Sequence, residues 1–192
     1  MDQPSGALLM VSVDIDPANT ADLENWYEEE HFPEKLAEPG YRGARLYRHR
    51  DDTARFLALY DLDESQTASP PPEHRKPASE RSKQMIASWK AWTRSVWDEL
   101  PSTFSGPPRA AVLIVTIELE PSEVEEFERW YEKEQLREKL AEPGFVHARR
   151  FRLHDSPSTC LVVYELNDPT VAIKAGSMTR GKNWSHNVWV AV

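Results

Sequence analysis

Apolar residues alternate along the start of the chain: Leu9, Val11, Val13 and Ile15 share one face, and Leu8, Met10 and Ser12 the other. A period of two predicts a strand, and apolar character on both faces predicts one covered on both sides. Pro17 ends it, and from about Thr20 the period lengthens. Leu23, Trp26, Tyr27, Glu30 and His31 recur at spacings of three and four, which is one stripe of a helix. Pro39-Gly40 breaks that helix and turns the chain. Strands are predicted from about Gly43 to His49 and Phe56 to Leu62, joined as a hairpin through Asp51-Asp52. The stretch SQTASPPPEHRKPASE from Ser65 is too rich in proline and charge to bury a core and reads as a mobile loop. A helix from about Arg81 then carries Met85, Trp89 and Trp92, and Val96-Trp97 forms a short fourth strand.

The same pattern returns at a constant offset of 104 residues. WYEEEHFPEKLAEPG from Trp26 and WYEKEQLREKLAEPG from Trp130 agree at 11 of 15 positions, and the flanking strands match in the same register without a gap. The period exceeds the ~20–50 residues of solenoid repeats, so it implies a duplicated domain. The boundaries predicted are residues 1–100 for the first unit, 101–109 for a plain linker (PSTFSGPP begins at Pro101) and 110–192 for the second. Each unit reads βαββαβ, a ferredoxin-like α+β arrangement with helices on one face of an antiparallel sheet. One unit alone leaves its other sheet face bare; two in tandem can bury those faces against each other.

With 40% apolar and 29% charged residues the chain suits a soluble globular fold. Its net charge of −9, with no run of Lys or Arg, excludes a nucleic-acid face and disfavours an anionic membrane surface. Cys160 is the lone cysteine, which forbids an intrachain disulfide and fits a reducing, cytoplasmic setting. The apolar run near the N-terminus is too short and too alternating for a signal or membrane span.

Among candidate chemical groups, His31 stands on the inward helical stripe, where an imidazole can serve as general acid or base near neutral pH. A hydrogen-bonded histidine that orients the helix end before Pro33 is the alternative. The second unit carries Gln135 at the matching position, which cannot take a proton there, so the two pockets cannot be equivalent in proton transfer unless His147, His154 or His186 substitutes. Glu30 and Glu134 recur on the stripe, and Arg45 and Arg149 on the next strand are expected as their ion-pair partners. Arg45, Tyr47 and His49 share one face of the second strand, Phe56 and Tyr60 one face of the third; which layer each face meets stays open. The tryptophans of the last helix and strand of each unit, Trp89 and Trp92 among them, read as core or as a flat wall for an aromatic molecule. His74, in the Pro-rich loop, is expected to be solvated. No His pair stands at metal-ligand spacing, so no metal is expected.

These residues (Trp26-Tyr27, His31-Phe32-Pro33, Pro39-Gly40, Ala44-Arg45 and Tyr47) resemble the EthD-like branch of the dimeric α+β barrel superfamily, and the likeness extends over both units. Relatives usually pair as homodimers; here one chain would supply both partners, as a monomeric pseudo-dimer or a homodimer of it. The resemblance implies a small enzyme without metal or flavin that handles an aromatic, polyketide-like or lactone molecule by proton transfer: a cyclase, isomerase, decarboxylase or cofactor-free monooxygenase. It places His31, Arg45 and Tyr47 in catalytic roles, and Tyr27, Glu30, His49, Tyr60, Trp89 and Trp92 against the substrate. A non-catalytic binding protein or scaffold is the alternative, and a haem-dependent enzyme using a late histidine such as His186 a lesser one. A shared fold hosts many chemistries, so the site must decide.

Overall fold

A computed structural model describes residues 6–69, 77–101, 106–171 and 182–192. The first half runs β1 (Ala7–Asp14), α1 (Thr20–Trp26), a π turn (Tyr27–His31), α2 (Phe32–Leu36), β2 (Tyr41–His49), β3 (Asp52–Leu62), α3 (Glu80–Ala87) and β4 (Ala91–Leu100). The second half repeats the order with β5 (Ala111–Glu118), α4 (Val124–Trp130), a π turn (Tyr131–Gln135), α5 (Leu136–Leu140), β6 (Phe145–Leu153), β7 (Ser156–Leu166) and β8 (Lys182–Ala191). The counterpart of α3 expected in the second half, and His74, lie outside the described residues.

Local chemistry starts and stops the long helix where the sequence punctuates it. Asp16 accepts a hydrogen bond from the Ala18 N–H while Pro17 occupies the first turn, and a reciprocal capping box between Glu120 and Glu123 does the same work in the second half. The exit needs a left-handed backbone, supplied by Gly40 at φ 88° and Gly144 at φ 97°.

The eight described strands close into one barrel in the order β1-β3-β2-β8-β5-β7-β6-β4. The fold is α+β, and the two halves meet edge to edge, β2 with β8 and β4 with β6, as well as face to face. The apolar outer faces of the sheets pack under the helices: Phe56 and Tyr60 with Leu23, Trp26 and Tyr27 in the first half, Tyr164 with Phe127, Tyr131 and Leu136 in the second. The inner faces of both halves build one shared core of Leu8, Tyr47, Trp97, Phe151, Leu161 and Trp189. This is why β1 is apolar on both sides: one face meets helices and the other fills the barrel.

Three local expectations are corrected. Trp89 and Trp92 are not helical: α3 ends at Ala87, where the Ser88 hydroxyl donates to the Met85 carbonyl 2.7 Å away, and Trp92 lies in β4, which pairs with β1 from Ala91 to Asp98. The fourth strand is thus ten residues rather than a short segment. Ser65–Ala68 is a packed helical turn with Ser65 and Ala68 buried, not part of a loose loop. The linker is also engaged, since the Arg109 N–H donates to Glu165 at 2.7 Å.

Candidate functional site

The π turn at Tyr27–His31 sets the geometry beneath the first helix. Widening the helix by one residue per turn lets Trp26 and Tyr27 both bury fully while His31 follows on the same side. The His31 ring stacks on Trp26 with centroids 4.4 Å apart at 22°. It meets Tyr27 edge-on at 5.5 Å and Tyr60 at 6.2 Å. Burial among these rings, helped by the Lys35 charge and opposed by Glu30, pulls the His31 pKa down to about 4. The imidazole is therefore uncharged at neutral pH. Burial pushes the hydroxyls of the neighbouring pair Tyr27 and Tyr60 above the usual range. The second half repeats this pair as Tyr131 and Tyr164, with oxygens 2.7 Å apart, but has buried Gln135 where His31 stands.

Glu30 does not pair with Arg45. Its carboxylate accepts hydrogen bonds from Ser79 and Ser82 at the start of α3 and lies 3.6 Å from Arg81. The Ser79 bond, more than any other contact, lowers its pKa. Ser82 also accepts from the Trp26 indole N–H at 3.1 Å, so Glu30 ties helix to helix. The matching Glu134 is exposed.

Arg45, Tyr47 and His49 point the other way. Leu46 faces the helices, so its neighbours on β2 face the barrel interior, where Tyr47 is buried and His49 meets the Trp189 ring at 5.0 Å. His49 Nδ1 accepts from the Asp51 N–H, so Nε2 carries the proton donated to the Asn187 side-chain oxygen 3.1 Å away. Arg45 lies 3.4 Å from Asp61. A sheet thus separates Tyr47 and His49 from His31, Tyr27 and Tyr60. Trp89 packs against the first helical core, with its indole N–H buried and without a partner among the described residues, whereas Trp92 is 57% exposed.

A cleft of about 580 Å³ opens between the first helix and the β2–β8 seam. Tyr27 and Phe32 form its aromatic wall, and Leu46 with Ala191 and Val192 its floor. Glu24 and Glu28 stand at its rim. Glu24 is paired with Arg48. Glu28 has neither an ion pair nor a hydrogen bond among the described residues. His31 is not among the lining groups; Tyr27 lines the cleft on one side and touches His31 on the other. At the position matching Leu46, the second half carries Arg150, 8% exposed. Its guanidinium lies 2.8 Å from the Glu132 carboxylate and donates to the Glu128 and Pro101 carbonyls at 3.4 Å.

A charged network inside one end of the barrel stands outside the ion pairs expected from the sequence. Arg149 lies 2.7 Å from Asp61 and 3.0 Å from Glu99, next to Glu165, which is 2% exposed. Burial lifts the Glu165 carboxyl to about pH 7 against the pull of the Arg109 N–H, Arg149 and Arg45. Its only sequence signal is charge on inward strand positions, visible once the inward face is known. Among the described residues no group of three His, Cys, Asp or Glu side chains could hold a metal ion, and His186 is exposed on β8. Nor is any described helix long and apolar enough to cross a membrane.

No protein-family model matches the chain, and neither does any curated protein. Solved structures do resemble it. A candidate monooxygenase from Lactobacillus acidophilus is 10% identical with a TM-score of 0.67, over 97% of this chain and 94% of that one. A candidate monooxygenase from Fusobacterium nucleatum is 11% identical with a TM-score of 0.67, over 100% and 94%. An anthrone oxidase-like protein is 12% identical with a TM-score of 0.64, over 98% and 92%. At such identities the likeness is one of architecture, and that architecture is the dimeric α+β barrel, here closed within one polypeptide.

Proposed function

We propose that this protein is a small-molecule enzyme whose working cleft lies on the first half, and that it acts on an aromatic molecule by proton transfer without metal or flavin. The observation that carries this reading is the open, aromatic-walled cleft of about 580 Å³ whose wall residue Tyr27 is in ring contact with an uncharged histidine. Apolar walls with a few polar groups are what a small aromatic ligand requires. His31 is uncharged at neutral pH and so free to accept a proton, though as a weak base whose pKa near 4 makes it give that proton up readily. The Tyr27 hydroxyl is a neutral donor beside it and can steady a developing oxyanion. Cyclisation, isomerisation, decarboxylation and cofactor-free oxygenation all need such a step. The architectural likeness to candidate monooxygenases and an anthrone oxidase-like protein favours oxygenation.

The two halves, residues 1–100 and 110–192 with 101–109 between them, are in this reading copies of one EthD-like unit, of which the second has lost its base at Gln135. A non-catalytic binding protein is the second reading, favoured by the absence of His31 from the cleft lining. Oxygen uptake by metal-free protein supplied with an anthrone separates them. The enzyme reading expects uptake with one water formed per O₂ consumed, reduced at least tenfold in His31→Gln. Saturable binding without turnover supports the binding protein, and turnover unchanged in His31→Gln removes His31 from the mechanism.

A further inference from the structure

The second half contains a natural occupant of the position that the first half leaves open. Glu28 and Glu132 match in the 104-residue register, as do Glu24 and Glu128. In the second half the groove between helix and strand is taken by the Arg150 guanidinium, seated against the Glu132 carboxylate and the Glu128 carbonyl. In the first half Leu46 replaces that arginine, the cleft is open, and the Glu28 carboxylate stands at its rim with no cation beside it among the described residues. The other charged groups lining the cleft are already neutralised, Glu24 by Arg48 and Arg45 by Asp61. Glu28 is thus the one charged side chain lining the cleft without an ion-pair partner among the described residues.

We infer that the first-half cleft recognises a small aromatic or apolar molecule bearing a planar cationic group of the guanidinium or amidinium type, with Glu28 as its counter-charge and Arg150 marking, in the second half, where that group sits. This rests on the reading of the cleft as the ligand site and narrows its ligand class. A planar fork of N–H donors suits both a carboxylate and a neighbouring backbone carbonyl, and the faces of Tyr27 and Phe32 can hold a cation or a ring. Leu46 decides which half is open, because a leucine leaves room where an arginine supplies the cation itself.

Benzamidine and its neutral near-isostere benzamide, titrated calorimetrically into the intact chain at low salt, test the inference. Expected are one benzamidine per chain, benzamide bound at least tenfold more weakly, loss of that preference in Glu28→Gln, and weakening of benzamidine binding as salt rises. Leu46→Arg should abolish binding of both probes, with a melting curve confirming the fold. Glu28→Gln, at an exposed position, needs no such control. Equal binding of the two probes, both lost in Leu46→Arg, overturns the cationic ligand and leaves the cleft in place. Binding of neither probe, or binding indifferent to Leu46→Arg, overturns the cleft reading itself.

Discussion

Arg149, from the second half, lies 2.7 Å from Asp61 of the first in an ion pair formed inside the closed barrel. Glu99, also of the first half, flanks the same guanidinium at 3.0 Å, and the Arg149 side chain is only 13% exposed. Removing one member of a buried pair leaves the others charged and desolvated, at a cost of roughly 3–5 kcal/mol. Arg149→Met should therefore lower unfolding stability by about 3 kcal/mol or more. Adding Asp61→Asn and Glu99→Gln to that variant should restore much of the loss. Denaturant unfolding of the single and triple variants measures both; a single variant as stable as the parent would show that the network is solvated.

Glu165 gives the barrel a pH dependence of definite sign. Its carboxyl is lifted from the usual 4.5 to about 7 in the folded chain. The unfolded chain therefore ionises first as pH rises. The stability this group contributes is complete below about pH 4.5 and is lost as pH climbs through about 7. Glu165→Gln should remove that decline, so the difference in unfolding free energy between variant and parent should shift in the variant's favour from pH 5 to pH 8. A difference constant across that range would contradict the raised value.

The sign reverses for His31. Folding lowers its pKa from 6.5 to about 4, so its contribution is complete above about pH 6.5 and lost as pH falls through 4. His31→Gln should flatten acid destabilisation in that window. An NMR titration of the imidazole should give a midpoint near 4; one near 6.5 would mean that the ring is not shielded by Trp26 and Tyr60.

The buried hydroxyl pair of Tyr131 and Tyr164 is a smaller but cleaner test. Tyr131→Phe deletes a hydrogen bond and strands the partner hydroxyl, at about 1–3 kcal/mol. The double variant Tyr131→Phe with Tyr164→Phe should cost less than the sum of the singles, because neither hydroxyl is left alone. Additive losses would show that each hydroxyl has another partner.

What could be read in advance followed local physics. Alternation gave the strands, the stripe from Leu23 to His31 gave the helix, and Gly40 and Gly144 marked its exits. Failures arose where an outcome depended on a face or a cap. Trp89 and Trp92 continue the spacing of Met85, but a hydroxyl bond at Ser88 stops the helix and sends Trp92 into β4. Glu30 and Arg45 lie close in the expected order of elements, yet β2 turns Arg45 inward while Glu30 reaches α3. Alternation shows that Tyr47 and Leu46 point apart; only the closed sheet says which one meets the helices. The contrast of Leu46 with Arg150 was legible in the repeat register.

Closing the ring of strands within one polypeptide has a consequence for chemistry as well as for packing. Two identical subunits must display the same side chain at every symmetric position, so any change that seals one hollow seals both. A continuous chain escapes that constraint: it can dedicate one hemisphere to a ligand and spend the other on internal salt links, as Leu46 and Arg150 already differ.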